Sequence, residues 1–70
     1  MTVHEWIAHL RHQIAMLEED ARKQRRLAEH QKPFPDQQAK TIRYADSLEA
    51  WAEQTRQQLK RFEQYDGGEE

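Results

Sequence analysis

The chain has 70 residues, of which 36% are hydrophobic and 34% charged, with a net charge of -2 and no cysteine. A single domain of this length buries only about 60% of its unfolded surface, and the missing cysteines exclude disulfides and thiolate metal sites. Oligomerisation is then the simplest way to enlarge the core. Because no apolar run approaches the ~20 residues of a membrane helix and no secretory signal is recognisable, we expect a cytoplasmic protein without a membrane partner.

The first segment, at about 2–31, has the pattern of an amphipathic helix. Thr2 and Glu5 fit a capping box, in which each side chain meets the backbone amide of the other residue. Mostly apolar residues then recur at alternating spacings of four and three, the period of a coiled-coil seam. The members of this seam are Val3, Ile7, Leu10, Ile14, Leu17, Ala21, Gln24 and Ala28.

Two prolines predict a turn at residues 32–36. Pro33 and Pro35 each disfavour the helical conformation in the residue before them, while Asp36 suits the start of a new helix. A second helix is expected at about 36–66, with a flexible acidic tail at 67–70 that begins with two glycines. Phe34, between the prolines, is expected to fold back over the end of the hairpin; the alternative is an exposed anchor for a partner.

The fold predicted from these segments is all-α: one domain at 1–66 that forms a two-helix antiparallel hairpin. Folding at the turn brings Ile7 opposite Phe62 and Leu10 opposite Leu59. The second seam contains Gln38, Thr41, Ala45, Leu48, Ala52, Thr55, Leu59 and Phe62. The predicted hairpin core consists of Ile7, Leu10, Ile14, Leu17, Leu48, Leu59 and Phe62.

Large side chains beside the two seams predict a second contact surface. This set contains Trp6, Met16, Tyr44, Trp51 and Tyr65. A lone hairpin would leave this surface exposed to solvent, so we interpret it as the contact of a homodimer that forms a four-helix bundle. Two alternatives are a monomer in which these side chains cover the hairpin's own seam, and a docking surface for a different protein.

Charge is distributed unevenly between the two ends of the predicted hairpin. Residues 21–43 contain seven basic and two acidic side chains, a net charge of +5, whereas the rest of the chain carries -7. A possible patch for a nucleic-acid backbone contains Arg22, Lys23, Arg25, Arg26, Lys40 and Arg43. The alternative is a solvated helix end whose cations complement the helix dipole and pair with nearby carboxylates. In architecture, the predicted dimer resembles the small hairpin dimers that modulate plasmid RNA pairing.

No residue set in the chain has a catalytic or metal-binding signature. Glu5, His9 and His12 share one helical face, but it is the face opposite the seam and the spacing matches no metalloprotease pattern. Ser47 is the only serine, and a convex rod offers no deep pocket. We therefore expect no enzyme activity, no cofactor, no metal and no small-molecule substrate.

These features favour a small regulatory or adaptor protein that homodimerises and inhibits or bridges another, unidentified protein through a helical, aromatic-rich face. Short hairpin proteins of this kind are typical of bacterial, phage and plasmid accessory genes. The first alternative is a nucleic-acid-binding regulator that uses the basic turn end. The second is a structural coiled-coil component of a larger assembly.

Overall fold

The computed structural model describes the backbone of residues 2–68 and the side chains of residues 2–64. It contains two helices, α1 at Val3–His30 and α2 at Pro35–Gly68. They pack side by side in an antiparallel hairpin of 56 × 14 × 14 Å, which confirms the predicted all-α helical hairpin. Neither helix, in the part of the chain that is described, is long and apolar enough to cross a bilayer.

The start of α1 is stabilised by Thr2. Its backbone is extended, with φ -79° and ψ 165°, and its Oγ1 accepts a hydrogen bond from the Glu5 amide at 3.2 Å. The Trp6 amide donates to the Thr2 carbonyl at 3.0 Å, which closes the first helical turn. The Thr2 side chain thus satisfies one of the amides that a helix N-terminus leaves unpaired.

Polar side chains, and not Phe34, close the turn end of the hairpin. The Gln38 Nε2 donates to the Ala28 carbonyl at 3.0 Å, and the Thr41 hydroxyl donates to the Gln31 Oε1 at 2.7 Å. Phe34 is 59% exposed, so the expectation that it folds back over this end is wrong. The physical reason is that the last carbonyls of α1 need hydrogen-bond donors. The Gln38 amide supplies one and the Thr41 hydroxyl holds the neighbouring Gln31 side chain, whereas a phenyl ring can donate no hydrogen bond.

The far end of α2 extends two residues beyond the expected boundary. We expected the glycines to end the helix after Asp66, but Gly67 and Gly68 belong to α2. No glycine between residues 2 and 68 has a positive φ, so neither forms the left-handed cap that often ends a helix. Glycine permits that conformation without requiring it. The predicted tail residues 69–70 lie outside the described part of the chain.

The core is one row of seam residues from each helix. In α1, Ile7, Leu10, Ile14, Leu17, Ala21 and Ala28 are buried; in α2, Ala45, Leu48, Ala52 and Thr55 are buried. Leu59 and Phe62, near the open end, are half-buried. The Thr55 hydroxyl donates to the Trp51 carbonyl of its own helix at 2.9 Å, so the buried polar group is satisfied without a partner from α1. The seam is narrow, and four of the ten buried residues among those described are alanines, which allow two helices to approach closely.

Candidate interaction face

The hairpin has two long faces, which follow directly from the position of each residue beside its seam. With 3.6 residues per turn, the residue after a seam position is rotated about 100° to one side and the residue before it about 100° to the other. Because the helices are antiparallel, residues that follow a seam position lie on the same side of the rod in both helices. Residues that precede a seam position lie together on the opposite side.

The side that follows the seam is held by ion pairs between the helices, and we call it the ion-pair face. Its rungs are Arg11 with Glu63 at 3.6 Å, Glu18 with Arg56 at 2.6 Å, and the Arg25 Nε with Glu49 at 3.0 Å. These rungs are seven residues apart in each helix. Eleven of its sixteen residues are charged, namely Arg11, Glu18, Arg22, Arg25, Glu29, Asp46, Glu49, Glu53, Arg56, Lys60 and Glu63. This face is therefore suited to contact with water.

Two arginines of the ion-pair face each bridge two carboxylates. Hydrogen bonds that Arg25 donates to Glu49 and then to Asp46 raise its pKa, and a hydrogen bond that Arg56 donates to Glu18 raises the pKa of Arg56, with Glu53 adding to it. Both arginines thus stay charged throughout the physiological pH range. They flank a shallow groove of about 190 Å³, where alanines contribute apolar surface between the charges. The groove is lined by Glu18, Ala21, Arg22, Arg25, Glu49, Ala52 and Arg56.

The opposite side carries most of the exposed large apolar side chains, and we call it the aromatic face. Tyr44 and Trp51 are each 53% exposed, Met16 is 48% exposed and Leu27 is 45% exposed. Of the sixteen residues that precede a seam position, four are charged: Asp20, Lys23, Lys40 and Arg61. Few charges together with aromatic residues and methionine are the composition of a protein interface core. Leu27 was not part of the stripe predicted from the sequence, although its position directly before the seam residue Ala28 places it on this face.

Trp6 belongs to the same face but is partly packed within its own hairpin. Its ring meets the Phe62 ring edge-on, with centroids 6.2 Å apart, and stacks on His9 at 5.4 Å. The residue is half-buried and its indole Nε1 is buried without a hydrogen-bond partner. Trp6 therefore contributes to the open end of the core as well as to the aromatic face. The side chain of Tyr65, the remaining member of the predicted stripe, lies outside the described residues.

The predicted basic patch does not form a single strip. Arg25 is engaged by Asp46 and Glu49, and Lys23 pairs with Glu19 at 3.8 Å. Arg22 lies on the ion-pair face and Lys40 on the aromatic face, on opposite sides of the rod. Arg26 and Arg43 lie on the outer backs of α1 and α2, four residues after Arg22 and three after Lys40. The cations thus surround the turn half of the hairpin.

The structure places the serine and the Glu5, His9 and His12 set that the sequence singled out. The Ser47 hydroxyl donates to the Arg43 carbonyl of its own helix at 3.0 Å and is exposed. Within residues 2–64, no three His, Cys, Asp or Glu side chains come together in a way that could hold a metal ion. The face of Glu5, His9 and His12 considered above therefore does not assemble into such a group.

The class of protein defined by this geometry is a two-helix antiparallel hairpin with one charged and one aromatic face. Comparison of the chain with protein-family models, with curated proteins and with solved structures found no match.

Proposed function

We propose that the protein is a small, non-enzymatic regulator or adaptor that homodimerises through its aromatic face into a four-helix bundle. The observation that carries this proposal is the contrast between the two faces. Four large apolar side chains, Met16, Leu27, Tyr44 and Trp51, are about half exposed on a side with few charges. On the other side, the ion pairs are already complete within one hairpin.

The size of the aromatic face matches that of a specific interface. A rod of 56 × 14 Å presents a side of on the order of 800 Å², about the area that one partner buries in a standard protein interface. Covering this side would also widen a core that is only one seam deep in the hairpin. Dimerisation thereby supplies the support that a 70-residue chain without disulfides needs.

The protein would act on its target through the same face. A helix from another protein that presents an apolar stripe at helical spacing could take the place of the second copy. Self-association and target binding would then compete for Tyr44 and Trp51. In this way the protein would inhibit or bridge a target without carrying out any chemical step.

Light scattering on the purified protein tests the dimer. We expect twice the mass of the chain at a few micromolar and at a hundredfold higher concentration. Trp51→Arg should yield a helical monomer, since a charge would have to be buried at the centre of the face. The matched control is Ile42→Arg, which places the same charge in place of the large apolar residue of the ion-pair face and should leave the dimer intact. A native monomer at both concentrations, or dissociation by Ile42→Arg alone, would overturn the proposal.

The nucleic-acid alternative rests on the net charge of +5 at residues 21–43. Its cations point in several directions around the rod and Arg25 is already paired, which favours a solvated end. If it nevertheless holds, affinity for a labelled RNA or DNA should fall steeply with salt. Arg22→Glu with Arg26→Glu should then abolish it. Salt-insensitive or undetectable binding would exclude this alternative.

A further inference from the structure

We infer that the two hairpins of the dimer pair in opposite directions, with the turn of one copy beside the open end of the other and the two Trp51 side chains together at the two-fold axis. This inference rests on the proposed dimer and adds the orientation of its subunits. Three independent features of the hairpin support it: its charge, the spacing of its aromatic face and the position of Asp20.

Charge favours opposite directions. The turn half, residues 21–43, carries +5 and the rest of the chain -7. Helices packed in a bundle lie 8–10 Å apart, within about one Debye length at physiological ionic strength. If both turns lay at the same end, the two basic halves would lie side by side and so would the two acidic halves. With opposite directions, each basic turn lies beside the acidic end of the other copy.

The residues of the aromatic face are spaced symmetrically about the middle of the rod. In α2, Tyr44, Trp51 and Gln58 are centred on Trp51. α1 carries a set of residues at the same seven-residue spacing, and the centre of this set lies between Met16 and Leu17. Its members are Trp6, Gln13, Asp20 and Leu27. These two centres lie within about one helical turn of each other in height along the rod, because Leu17 and Ala52, which adjoin them, belong to one buried cluster.

A two-fold axis through this height therefore brings complementary side chains together. Trp51 meets Trp51 of the second copy, and Met16 meets its own equivalent. Trp6 lies over Leu27 of the second copy at both ends of the α1 pair. Large side chains of the two hairpins thus meet at both ends and in the middle of the α1 pair and at the centre of the α2 pair, while Tyr44 lies over Gln58 of the second copy.

Asp20 distinguishes the two orientations. With opposite directions it lies over Gln13 of the second copy, whose amide can donate a hydrogen bond to the carboxylate. With both turns at the same end, α1 lies over α2 of the other copy, and Asp20 falls between its Ser47 and its Trp51. The Ser47 hydroxyl already donates its one proton to the Arg43 carbonyl, so the carboxylate would lie against an indole ring with fewer free donors than the Gln13 amide offers, which is costly. Asp20 therefore favours opposite directions.

Distance measurement between spin labels tests the orientation, since the chain has no cysteine of its own. Lys32→Cys labels the exposed turn, fifteen residues from Leu17. At 1.5 Å per residue, opposite directions place the two labels about 45 Å apart, whereas turns at the same end place them within roughly 20 Å. Ala50→Cys, near the middle and on the outer back of α2, is the control that reports a dimer in both cases.

Each outcome is decisive. A distance near the longer value supports the inferred orientation. A short distance overturns it and leaves the proposed dimer standing. If neither variant gives an intermolecular distance and light scattering shows a monomer, both the dimer and its orientation fail.

A charge reversal provides a second test. With opposite directions, Arg61 lies near the height of Lys40 of the second copy, so Arg61→Glu should replace a repulsion with an attraction. We expect the dimer to tighten by about two- to thirtyfold, because the two-fold axis repeats this charge pair and each copy contributes a factor of about 1.4 to 5. Lys60→Glu makes the same charge change on the ion-pair face and should leave the dissociation constant unchanged. Equal effects of both variants, or weaker association of Arg61→Glu, would contradict the orientation.

Discussion

The two long faces of the hairpin differ in whether their side chains find partners within the same chain. On the ion-pair face, charges of α1 meet charges of α2 at Arg11–Glu63, Glu18–Arg56 and Arg25–Glu49, so the interactions are complete within one chain. On the aromatic face, Tyr44 and Trp51 remain half exposed. The first face specifies how the two helices pair, because a shift of either helix would break its rungs. The second face is the surface through which we propose that the hairpin binds another molecule.

In this very small protein, the charge pairs that favour one alignment of the helices and the exposed apolar surface thus lie on separate faces. Exposed ion pairs add little stability, but opposite charges spaced by seven residues favour one alignment of the helices over others. Burial of apolar surface supplies most of the stability, and much of the apolar surface of the aromatic face is not buried within the hairpin. Substitutions in the seam, on the aromatic face and on the ion-pair face should have effects of decreasing size.

The largest effect is expected from Leu10→Asp, because both faces exist only if the seam between them is correctly assigned. Leu10 is 2% exposed, and an unpaired charge at such a position costs about 3–5 kcal/mol. That is comparable to the whole stability of a small domain, at the low end of about 5–15 kcal/mol. Circular dichroism should show loss of most of the helix.

The control for this change is Ala8→Asp, two residues away on the exposed side. It introduces the same carboxylate and costs only the difference in helix propensity, up to about 0.7 kcal/mol. A Leu10→Asp protein that keeps its helix content and melts like the native chain would show that the seam is misassigned.

An intermediate effect is expected in tryptophan fluorescence. Trp51 is 53% exposed in the hairpin, whereas Trp6 is half-buried against Phe62 and His9. In a Trp6→Phe variant, which reports Trp51 alone, emission should shift to the blue by several nanometres as concentration rises and the dimer forms. A Trp51→Phe variant, which reports Trp6, should shift less. An emission maximum of Trp51 that does not depend on concentration, in a protein that dimerises, would exclude Trp51 from the interface.

The smallest effect is expected on the ion-pair face. Arg56→Glu sets three carboxylates together with Glu18 and Glu53, and should lower the melting temperature by a few degrees. Adding Glu18→Arg restores an opposite pair between the helices and should recover most of the loss. Salt should reduce the difference between the single variant and the native protein. If the double variant melts no higher than Arg56→Glu, the Glu18–Arg56 rung does not contribute to helix pairing.

The sequence could predict much of the fold because the information is local and periodic. Thr2 marks the start of α1, Pro33 and Pro35 mark the turn, and the alternating spacing of apolar residues marks the seam. Each of these signals acts within one or two helical turns, so its meaning does not depend on the rest of the chain. The helical hairpin follows from them.

Other features of the hairpin could be recognised only from the way in which the two helices align in the structure. Arg25 looked like part of a basic patch because its neighbours in sequence are basic, but Asp46 and Glu49 of α2 neutralise it across the seam. Phe34 looked like the cap of the turn because it is apolar, but Gln38 and Thr41 fill that role. The sequence alone determined the helices, the turn and the seam. Tertiary structure decided which charges pair and which face stays uncovered, because electrostatic and packing partners are set by proximity in space.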